Sequence, residues 1–544
     1  MLYLGGRFLS FMKKSLLFTV ALLLLGMGAA QAQWSLDPAH PLAVADSASA
    51  SGDPKLVSDG STGFYVFWLD SRRGQNTALY GQHLSATGQR LWGAGGRKII
   101  GGSKLWSFDA LRHSTGDIIV SYSLGPSPDT IATSKVTPTG TVAWTTLVGG
   151  RGVGSIIYAN HPKMIAHPTG VYVAFDATYI GGSGGYRYHS IDLAGNRKFG
   201  KFNGQAIPGG DFGGPFYLLP GPRNGGLMVW RNGNGAGTHA SARRFNADST
   251  IVGTTNVDIV AGTTGLRYDL NPISDGRGGA LVTYVGGNPQ GYTTIMTTHL
   301  DTALRQRYVG GQVAVCSTAT TNADRPWSML KNNKLYIAWA DNRPPAANFD
   351  IYMQAVDTAT GASQWTANGV RVTGLGSYIP YPRIVPADSG GFYVTSQVGP
   401  GHWLQRVQTS GQPQFSGFLL TDQNRQPFYE NYLLAETGSA PIMVWVTSAN
   451  GIYAKPLRPF LPIATRPALS QGLTLSPNPT AGLLHIQSEG LALRTLHIFD
   501  GTGREVLTAP AASGMLDVSA LRPGLYTLRA ETPQGCVSQR FLRQ

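Results

Sequence analysis

Two short segments of this 544-residue chain repeat a pattern of residue types that could bind anions. Trp68-Leu-Asp70-Ser-Arg72 and Trp339-Ala-Asp341-Asn-Arg343 each place an arginine two residues after an aspartate. An arginine at an exposed rim can bind a carboxylate or sulfate through two parallel hydrogen bonds. The same spacing also suits a structural role, in which the aspartate caps a turn and pairs with the arginine. Because the pattern recurs on a repeat, we favour the structural role, and we keep Arg72 and Arg343 as candidate ligand-binding residues.

Aromatic side chains in glycine- or proline-rich segments are further binding candidates. The sequence predicts that segments 181–188, 232–238, 286–292 and 343–349 are loops that share one face of the protein. Variable loops on a rigid scaffold commonly carry binding residues, although many are ordinary solvated connections. The aromatic candidates in these loops are Tyr186, Tyr188, Tyr292 and Phe349.

The titratable residues predict no catalytic or metal centre. Residues 33–469 contain 22 aspartates and only two glutamates, and most of these aspartates lie in turn sequences. A glycosidase needs two opposed carboxylates, and no such pair stands out. The nine histidines of this segment lack metal-ligand spacing. We therefore predict no catalytic residue, no metal site and no cofactor.

An internal repeat predicts the elements that position these residues. An aromatic residue or its substitute ends an apolar strand at positions 68, 122, 175, 230, 284, 339, 396 and 445, in steps of 49 to 57 residues. Within a copy, Asp-Gly and Thr-Gly turns separate four short apolar runs, which is typical of an antiparallel meander. The fold class is therefore all-β, and the repeat predicts a β-propeller with eight blades, or with seven. Two smaller assemblies are the other architecture that the repeat allows.

Residues 34–44 resemble the end of a repeat, so we expect an N-terminal strand to complete the last blade. The recurring Trp-x-Asp and Asp-Gly-x-Gly-Gly patterns of residues 34–460 also resemble the degenerate propeller repeats of secreted bacterial proteins. That resemblance implies the fold and no particular activity.

The two ends of the chain carry export signals. Lys13 and Lys14 precede an apolar run that ends in Ala30-Gln-Ala32, so residues 1–32 are predicted to be a signal peptide. No later apolar stretch is long enough to span a membrane as a helix. Cys316 and Cys536 fall in different predicted domains, so no disulfide is expected. The predicted domains are a propeller at 33–460, a linker at 461–472 and a C-terminal β-sandwich at 473–544.

The C-terminal 72 residues carry three dense sequence motifs. Segment 475–482 contains Pro-Asn-Pro, segment 496–506 contains a Gly-Arg turn, and segment 516–526 reads Leu-Asp-Val-Ser-Ala-Leu-Arg-Pro-Gly-Leu-Tyr. Together they resemble the type A sorting domain of type IX secretion. This resemblance implies passage across the outer membrane through the type IX machinery, and a protein that is surface-attached or released. The matching positions are Pro477, Asn478, Pro479, Gly503, Arg504, Asp517, Leu521, Pro523, Gly524 and Tyr526.

Charge and composition leave three function classes open. The net charge of the chain is +14, of which about +10 lies on residues 33–469, a balance that attracts polyanions. Our first hypothesis is a non-enzymatic surface or secreted module that binds a glycan, another polymer or a protein, and no specific nucleic acid. The alternative is a lyase or hydrolase that acts on acidic polysaccharide. A purely structural or adhesive role is a third possibility.

Overall fold

The computed structural model describes most of the chain after residue 33. The described residues are 34, 41–46, 48–72, 77–150, 156–181, 184–199, 205–207, 215–232, 239–260, 266, 268–318, 321–343, 348–373, 381–387, 390–398, 401–414, 418–419, 432–434, 441–447, 449–457, 473–488, 492–500, 505–511, 514–532 and 535–544. The predicted signal peptide and linker lie outside these residues. The chain divides into two compact units between Arg458 and Pro459. No helix in the described ranges is both long and apolar enough to cross a membrane.

The first unit is built from four-stranded antiparallel sheets, which we call blades. Its first strand, β1 (Leu42–Ala43), belongs to blade 8. Blade 1 comprises β2 (Ala50–Ser58), β3 (Phe64–Asp70), β4 (Ala78–Leu84) and β5 (Arg97–Ile100). Blade 2 comprises β6 (Leu105–Arg112), β7 (Ile118–Leu124), β8 (Thr130–Val136) and β9 (Val142–Gly150). Blade 3 comprises β10 (Ile156–His167), β11 (Gly170–Tyr179), β12 (Gly184–Asp192) and β13 (Gln205–Ile207). Blade 4 comprises β14 (Phe216–Pro220), β15 (Gly226–Asn232), β16 (His239–Phe245) and β17 (Ile251–Val260), with a 3₁₀ turn at Pro222–Asn224.

The remaining blades repeat the same strand order. Blade 5 comprises β18 (Tyr268–Ser274), β19 (Ala280–Gly287), β20 (Thr293–Leu300) and β21 (Val313–Cys316). Blade 6 comprises β22 (Ala323–Lys331), β23 (Lys334–Asp341), β24 (Asp350–Asp357) and β25 (Val370–Arg371). Blade 7 comprises β26 (Arg383–Pro386), β27 (Phe392–Val398), β28 (Gly401–Val407) and β29 (Phe418–Leu419). Blade 8 comprises β30 (Tyr432–Leu434), β31 (Ile442–Val446), β32 (Ile452–Pro456) and β1.

The blades form a closed ring. The first strand of each blade contacts the first strand of the next blade, from β2 through β6, β10, β14, β18, β22 and β26 to β30. The ring closes because β2 also contacts β30 and β31 of blade 8. Blade 8 is completed from the other end of the sequence, where Leu42 of β1 pairs with Ala454 of β32. The first unit is therefore a β-propeller, as the repeat predicts. Its first strands line the inside of the ring.

Packing between blades explains the recurring aromatic residue of the sequence. Trp68, Trp230, Trp339 and Trp445 lie on second strands and are fully buried. Most core clusters draw side chains from two neighbouring blades. The cluster around Trp68, for example, includes Val444 of blade 8. The aromatic positions thus form the hydrophobic layers between blades, which must all be filled for the ring to close.

A second aromatic set joins the blades near their outer edges. In each case an aromatic ring lies over a glycine of positive φ in the turn after the third strand of the following blade, so that a Cβ at that glycine would approach the ring to within 2.8–3.1 Å. Three of the tryptophans also donate their indole N–H to a carbonyl oxygen of that turn; for Trp144 and Leu193 O the distance is 3.1 Å. The pairs are Trp34 with Gly88, Trp92 with Gly140, Trp144 with Gly195, Tyr308 with Gly361, and Trp365 with Gly411.

We predict that Gly195→Ala destabilises the propeller through this contact. A Cβ at Gly195 would lie 2.8 Å from Cδ2 of Trp144, and overpacking of this kind costs about 1–3 kcal/mol. The matched control is Gly181→Ala, because Gly181 also has positive φ but its Cβ would meet nothing within 4 Å. Chemical denaturation should show a larger loss of unfolding free energy for Gly195→Ala. Equal losses would mean that the backbone conformation alone explains the cost.

Aspartates shape two of these turns, those of Gly195 and Gly361. In the turn of Gly195, Asp192 accepts hydrogen bonds from the backbone N–H groups of Ala194 and Asn196, at 3.0 and 2.8 Å. Lys198 lies 2.8 Å from its other carboxylate oxygen. Burial opposes ionisation of Asp192, but the hydrogen bonds from Lys198 and Asn196 outweigh it and lower the pKa of Asp192 to about 2. The turn therefore stabilises the ionised aspartate.

This turn predicts a pH dependence of stability. Because the folded pKa of Asp192 lies below its unfolded value of about 3.9, its contribution is complete above that value and is lost as the pH falls toward about 2. We expect Asp192→Asn to flatten the decline of the unfolding free energy between these pH values. Asp301→Asn is the control. Asp301 accepts the same two backbone hydrogen bonds in the equivalent turn of blade 5, so the difference between the pH slopes of the two variants measures the contribution of the contact between Asp192 and Lys198. An unchanged slope for Asp192→Asn would contradict the prediction.

The second unit contains two sheets around one core. One sheet has the order β33 (Leu473–Ser476), β34 (Leu483–Ser488) and β37 (Met515–Asp517). The other has the order β36 (Glu505–Pro510), β35 (Thr495–Phe499), β38 (Gly524–Thr532) and β39 (Gly535–Arg543). Buried residues from both sheets share one hydrophobic cluster, for instance Leu484 and Ile486 with Ile498 and Leu528. Alternating burial along β34 and β35 is typical of sheets with one solvent-exposed face.

Candidate functional site

One end of the propeller carries the candidate residues. Strands within a blade are antiparallel, so the start of the first strand and the end of the second strand lie at the same end of the ring. We call it the entry end. The predicted arginines follow second strands, and they therefore lie at the entry end together with the first residues of β6, β10 and β22.

Arg72 has a structural role. Its Nη2 and Nε lie 2.6 and 3.0 Å from Oδ2 of Asp70, which also accepts the indole N–H of Trp68 at 2.7 Å. The guanidinium lies 4.5 Å from the ring centre of Tyr80. Burial opposes ionisation of Asp70, but the hydrogen bonds from Arg72 and Trp68 outweigh it and lower the pKa of Asp70. The arginine thus satisfies a buried carboxylate, and its donors are occupied.

Arg343 repeats this arrangement in blade 6. Its Nη2 lies 2.5 Å from Oδ2 of Asp341 and 2.9 Å from the carbonyl oxygen of Asn368. The guanidinium stacks 4.0 Å from the ring centre of Tyr352. The structural interpretation of the Trp-x-Asp-x-Arg pattern therefore describes both arginines. Nε of Arg343 has no hydrogen-bond partner among the described residues, but the charge of each guanidinium is paired with a buried carboxylate.

Two of the aromatic candidates are core residues, so their assignment to an exposed loop is wrong. β12 begins at Gly184, so residues 184–188 form a strand. Tyr186 and Tyr188 are 3% and 0% exposed and pack on Phe216 and Phe245 between blades 3 and 4. Their alternate positions along the strand place both on the face that packs against blade 4.

The other two aromatic candidates lie at the surface of separate blades. Tyr292 is 36% exposed, and its N–H donates to Oδ1 of Asn288 in the turn before β20. Phe349 is half-buried immediately before β24. The six predicted residues are thus spread over blades 1, 3, 5 and 6, and they do not define one site. Segment 233–238 of the predicted loop set lies outside the described residues.

Backbone irregularities identify positions that the sequence analysis missed. The pairing of first and second strands is interrupted at the start of several blades, where extra residues are inserted into the first strand. In three of them the inserted residue has positive φ, which is uncommon for a side chain other than glycine. These residues are His161, Asp269 and Arg325, with φ of 48°, 46° and 54°. Such strain clusters at functional sites, so these positions are candidates for a functional site.

Arg325 is a cation without an ionic partner in the described part of the chain. Its guanidinium carbon lies 4.2 Å from the ring centre of Tyr381, just before β26 of blade 7. Its Nε is buried and makes no hydrogen bond to any described residue. The side chain is half-buried, so its donors are partly desolvated while the group remains accessible. Nearby, the buried Arg383 stacks 4.0 Å from the ring centre of Trp327.

A second cluster joins blades 2 and 3. Ser107 of β6 donates its hydroxyl hydrogen to Oδ1 of Asn160 at 2.5 Å and accepts the backbone N–H of His161 at 3.1 Å. The side-chain amide of Asn160 donates to the hydroxyl of Tyr158 at 2.9 Å. These hydrogen bonds fix the start of β10 against blade 2.

An imidazole and a carboxylate pair lies in the same cluster. Nδ1 of His161 lies 3.1 Å from Oδ2 of Asp176, and the histidine side chain is 57% exposed. The other oxygen of Asp176 is buried and has no hydrogen-bond partner among the described residues. Burial raises the pKa of Tyr158, the hydrogen bond from Asn160 opposes this, and the charge of Asp176 adds to it. The arrangement can exchange protons with a bound molecule.

An exposed tryptophan lies beside this cluster. Trp106 occupies the inserted position of β6, directly before Ser107, and is 37% exposed. Nζ of Lys104 lies 3.7 Å from the centre of its ring. The ammonium covers one face of the indole, so the exposed part of Trp106 offers an apolar surface for a sugar ring together with a positive charge. Within the described ranges, no three His, Cys, Asp or Glu residues are grouped so that they could hold a metal ion.

The motif positions of the second unit hold its last strand in place. Asn478 donates its amide to the carbonyl oxygen of Arg540 at 3.0 Å and accepts the N–H of Leu542 at 2.9 Å. Asp517 accepts the N–H of Ser519 at 2.8 Å, and the hydroxyl of Tyr526 donates to Arg522 O at 2.8 Å. Gly503 and Arg504 lie outside the described residues. The described motif positions thus fix the turns and the C-terminal strand of this unit.

Comparison with known families identifies the second unit. Residues 474–544 match the family model described as "Secretion system C-terminal sorting domain". This segment is the sorting domain of type IX secretion, as its motifs indicate. The protein is therefore exported and is located outside the cell or attached to its surface. No curated protein matches the chain.

Solved structures resemble the chain only distantly. The WD40 domain of SCAP from fission yeast has a TM-score of 0.41 and 10% identity, covering 77% of this chain and 97% of that one. A PL25 ulvan lyase has a TM-score of 0.40 and 13% identity, covering 63% and 90%. The polysaccharide lyase Uly1 has a TM-score of 0.38 and 8% identity, covering 68% and 92%. Likeness at this level carries no functional argument.

The buried arginine pairs predict which aspartates are needed for folding. Asp341→Ala leaves Arg343 and the indole N–H of Trp339 without their acceptor. Breaking a buried pair in this way should lower the unfolding free energy by about 3–5 kcal/mol, measured by denaturant titration. Asp46→Ala is the control, because Asp46 pairs with Arg90 at the surface and should cost less than about 1 kcal/mol. A similar small loss for Asp341→Ala would refute the structural role.

Proposed function

We propose that this exported protein, delivered by its type IX secretion sorting domain, binds an acidic polysaccharide at the entry end of the propeller. The observation that carries the proposal is Arg325. Its guanidinium stacks on Tyr381 and makes no hydrogen bond or ion pair with any described side chain. A carboxylate or sulfate group can accept hydrogen bonds from it in the planar geometry that arginine favours.

The contrast with the other arginines supports a ligand role for Arg325. Arg72 and Arg343 also stack on aromatic rings, but each is neutralised by a buried aspartate two residues earlier. The carboxylate before Arg325, that of Asp324, instead accepts the backbone N–H of Arg325 at 2.8 Å. A partly desolvated donor without an acceptor is costly, and binding an anion offsets this cost.

The surroundings favour an acidic glycan among possible anions. Residues 33–469 carry a net charge of about +10, which raises the local concentration of a polyanion near the protein. Trp106 with Lys104 offers a second stacking surface with a cation at the entry end. Two such positions on one end of a rigid ring suit a long polymer that presents sugar rings and charges alternately.

Binding measurements on polysaccharides test this proposal. We expect the purified protein to bind polygalacturonate, alginate and dextran sulfate saturably, and to bind neutral dextran weakly or not at all. Salt should weaken the binding, because exposed charges are screened. Arg325→Gln should bind about 10- to 100-fold more weakly, as expected for a lost charge-assisted hydrogen bond.

Arg305→Gln is the matched control for this experiment. It removes the same charge from an exposed arginine in the turn after β20, at the opposite end of the ring. Its affinity should remain within about twofold of the unmodified protein, as is usual for a peripheral charge in salt. Equal loss in both variants would show that only net charge matters. Equal binding of neutral and acidic dextrans would overturn the proposal.

A further inference from the structure

The cluster at blades 2 and 3 has a geometry that binding alone does not require. It combines a base, a proton donor and an orienting carboxylate within one hydrogen-bonded network. The structure points to Tyr158, His161 and Asp176 as an acid–base centre that cleaves the bound polysaccharide by β-elimination at a uronate residue. This inference rests on the proposed function, because the uronate must first be held at the entry end.

His161 has the position of a general base. Asp176 accepts a hydrogen bond from Nδ1, which places the neutral ring's lone pair on Nε2. No described residue makes a hydrogen bond to Nε2, and more than half of the side chain is exposed. The positive φ of His161 fixes this exposed orientation at a cost in backbone strain.

Tyr158 has the position of the proton donor. Asn160 donates to the oxygen of its hydroxyl group, so the phenolic hydrogen is available to another acceptor. Asn160 is itself held by Ser107 of the neighbouring blade, which also accepts the N–H of His161. Ser107 therefore fixes the backbone of His161 directly, and it fixes the phenol of Tyr158 through Asn160. Burial keeps the phenol protonated at neutral pH, because it raises the pKa of Tyr158.

The reaction balances with these groups alone. Nε2 of His161 removes the proton from C5 of the uronate, next to its carboxylate. The electron pair forms the C4–C5 double bond, and the bond between C4 and the glycosidic oxygen breaks. Tyr158 gives its proton to the leaving oxygen, and solvent then returns a proton to the phenolate and removes one from the imidazolium. Lys104, three residues before Ser107, supplies a positive charge for the uronate carboxylate.

Elimination suits the cluster better than hydrolysis does. Glycoside hydrolysis uses two carboxyl groups on opposite sides of the scissile bond. Here one carboxylate pairs with the histidine, and the carboxylate of Asp109 in blade 2 accepts the backbone N–H of Met164 at 2.9 Å. A base and a phenol remain as the groups that can exchange protons with a substrate.

The test compares binding with product formation for the full protein. Incubation with polygalacturonate and with alginate should produce an unsaturated uronate that absorbs ultraviolet light, whereas dextran sulfate should bind without being cleaved. His161→Asn and Tyr158→Phe should each lower the rate about 100-fold or more, with binding unchanged within about threefold. Asparagine is chosen because it tolerates positive φ. His239→Asn, in another histidine and aspartate pair, should retain full activity.

Asp176 acts through His161 and is a positioning residue. Asp176→Asn should lower kcat with little change in KM, because it disturbs the tautomer and orientation of the imidazole and leaves polysaccharide binding intact. A merely structural role would instead lower the melting temperature and leave the kcat of the folded fraction unchanged. Circular dichroism of each variant separates these cases.

Each outcome decides between the two proposals. Binding without any cleavage by the unmodified protein overturns the acid–base centre and leaves the proposed function standing. Failure to bind any acidic polysaccharide overturns both. Shortened chains without ultraviolet absorbance indicate hydrolysis and overturn the elimination. Cleavage that persists in both His161→Asn and Tyr158→Phe overturns the assignment of the site.

Discussion

The propeller depends on aromatic rings that reach from one blade onto the next. A sheet of four short strands buries too little surface to be stable alone, so each blade is stable only with both neighbours in place. The layer of second-strand tryptophans fills the inner space between blades, and the rings seated on positive-φ glycines join the outer edges. Closure through β1 supplies this contact for blade 1, because Trp34 lies over Gly88. The ring is therefore stable as a whole, and its ends can carry irregular structure.

The contacts between blades explain where the strained backbone, at the residues of positive φ, is located. The second strands and the turns after third strands are committed to packing, as Trp230 and Gly195 illustrate. The starts of first strands face the inside of the ring and have no blade to fill. Insertions there, such as those at His161 and Arg325, leave the core layers intact. A rigid scaffold holds these side chains in a fixed geometry, which is the condition for both anion binding and proton transfer.

The sequence predicted the fold because burial leaves a periodic signal. The aromatic residue on seven of the eight second strands and the glycine turns recur at a nearly constant spacing, and both features follow directly from packing. The binding residues leave no such signal. Tyr186 and Tyr188 follow a glycine-rich segment, so they were assigned to a loop, yet both lie on the core-facing side of β12. Alternation along a strand could have revealed this.

The residues that sequence reasoning missed had a weaker signature. Asn160-His-Pro-Lys163 and Asp324-Arg-Pro-Trp327 place a polar residue before a proline at the same point of two repeats. A proline in an inner strand cannot donate to the sheet, so it marks the irregular pairing that the structure shows. Which of these residues has a partner depends on contacts between blades, and these contacts join residues more than fifty positions apart, as in Ser107 and Asn160. Only the assembled ring determines them.

Arginine illustrates why residue type alone does not identify a binding site. Arg72, Arg343 and Arg325 all stack on a tyrosine at the entry end. In the first two, a buried aspartate two residues earlier takes up the charge, so the pair stabilises a turn and presents little net field to solvent. At Arg325 the preceding aspartate is turned to the backbone N–H, and the charge remains uncompensated by described residues. The propeller thus contains two kinds of stacked arginine, those paired with a buried aspartate and Arg325, which is unpaired among the described residues. Only the unpaired arginine leaves a net positive charge that can attract an anionic polymer.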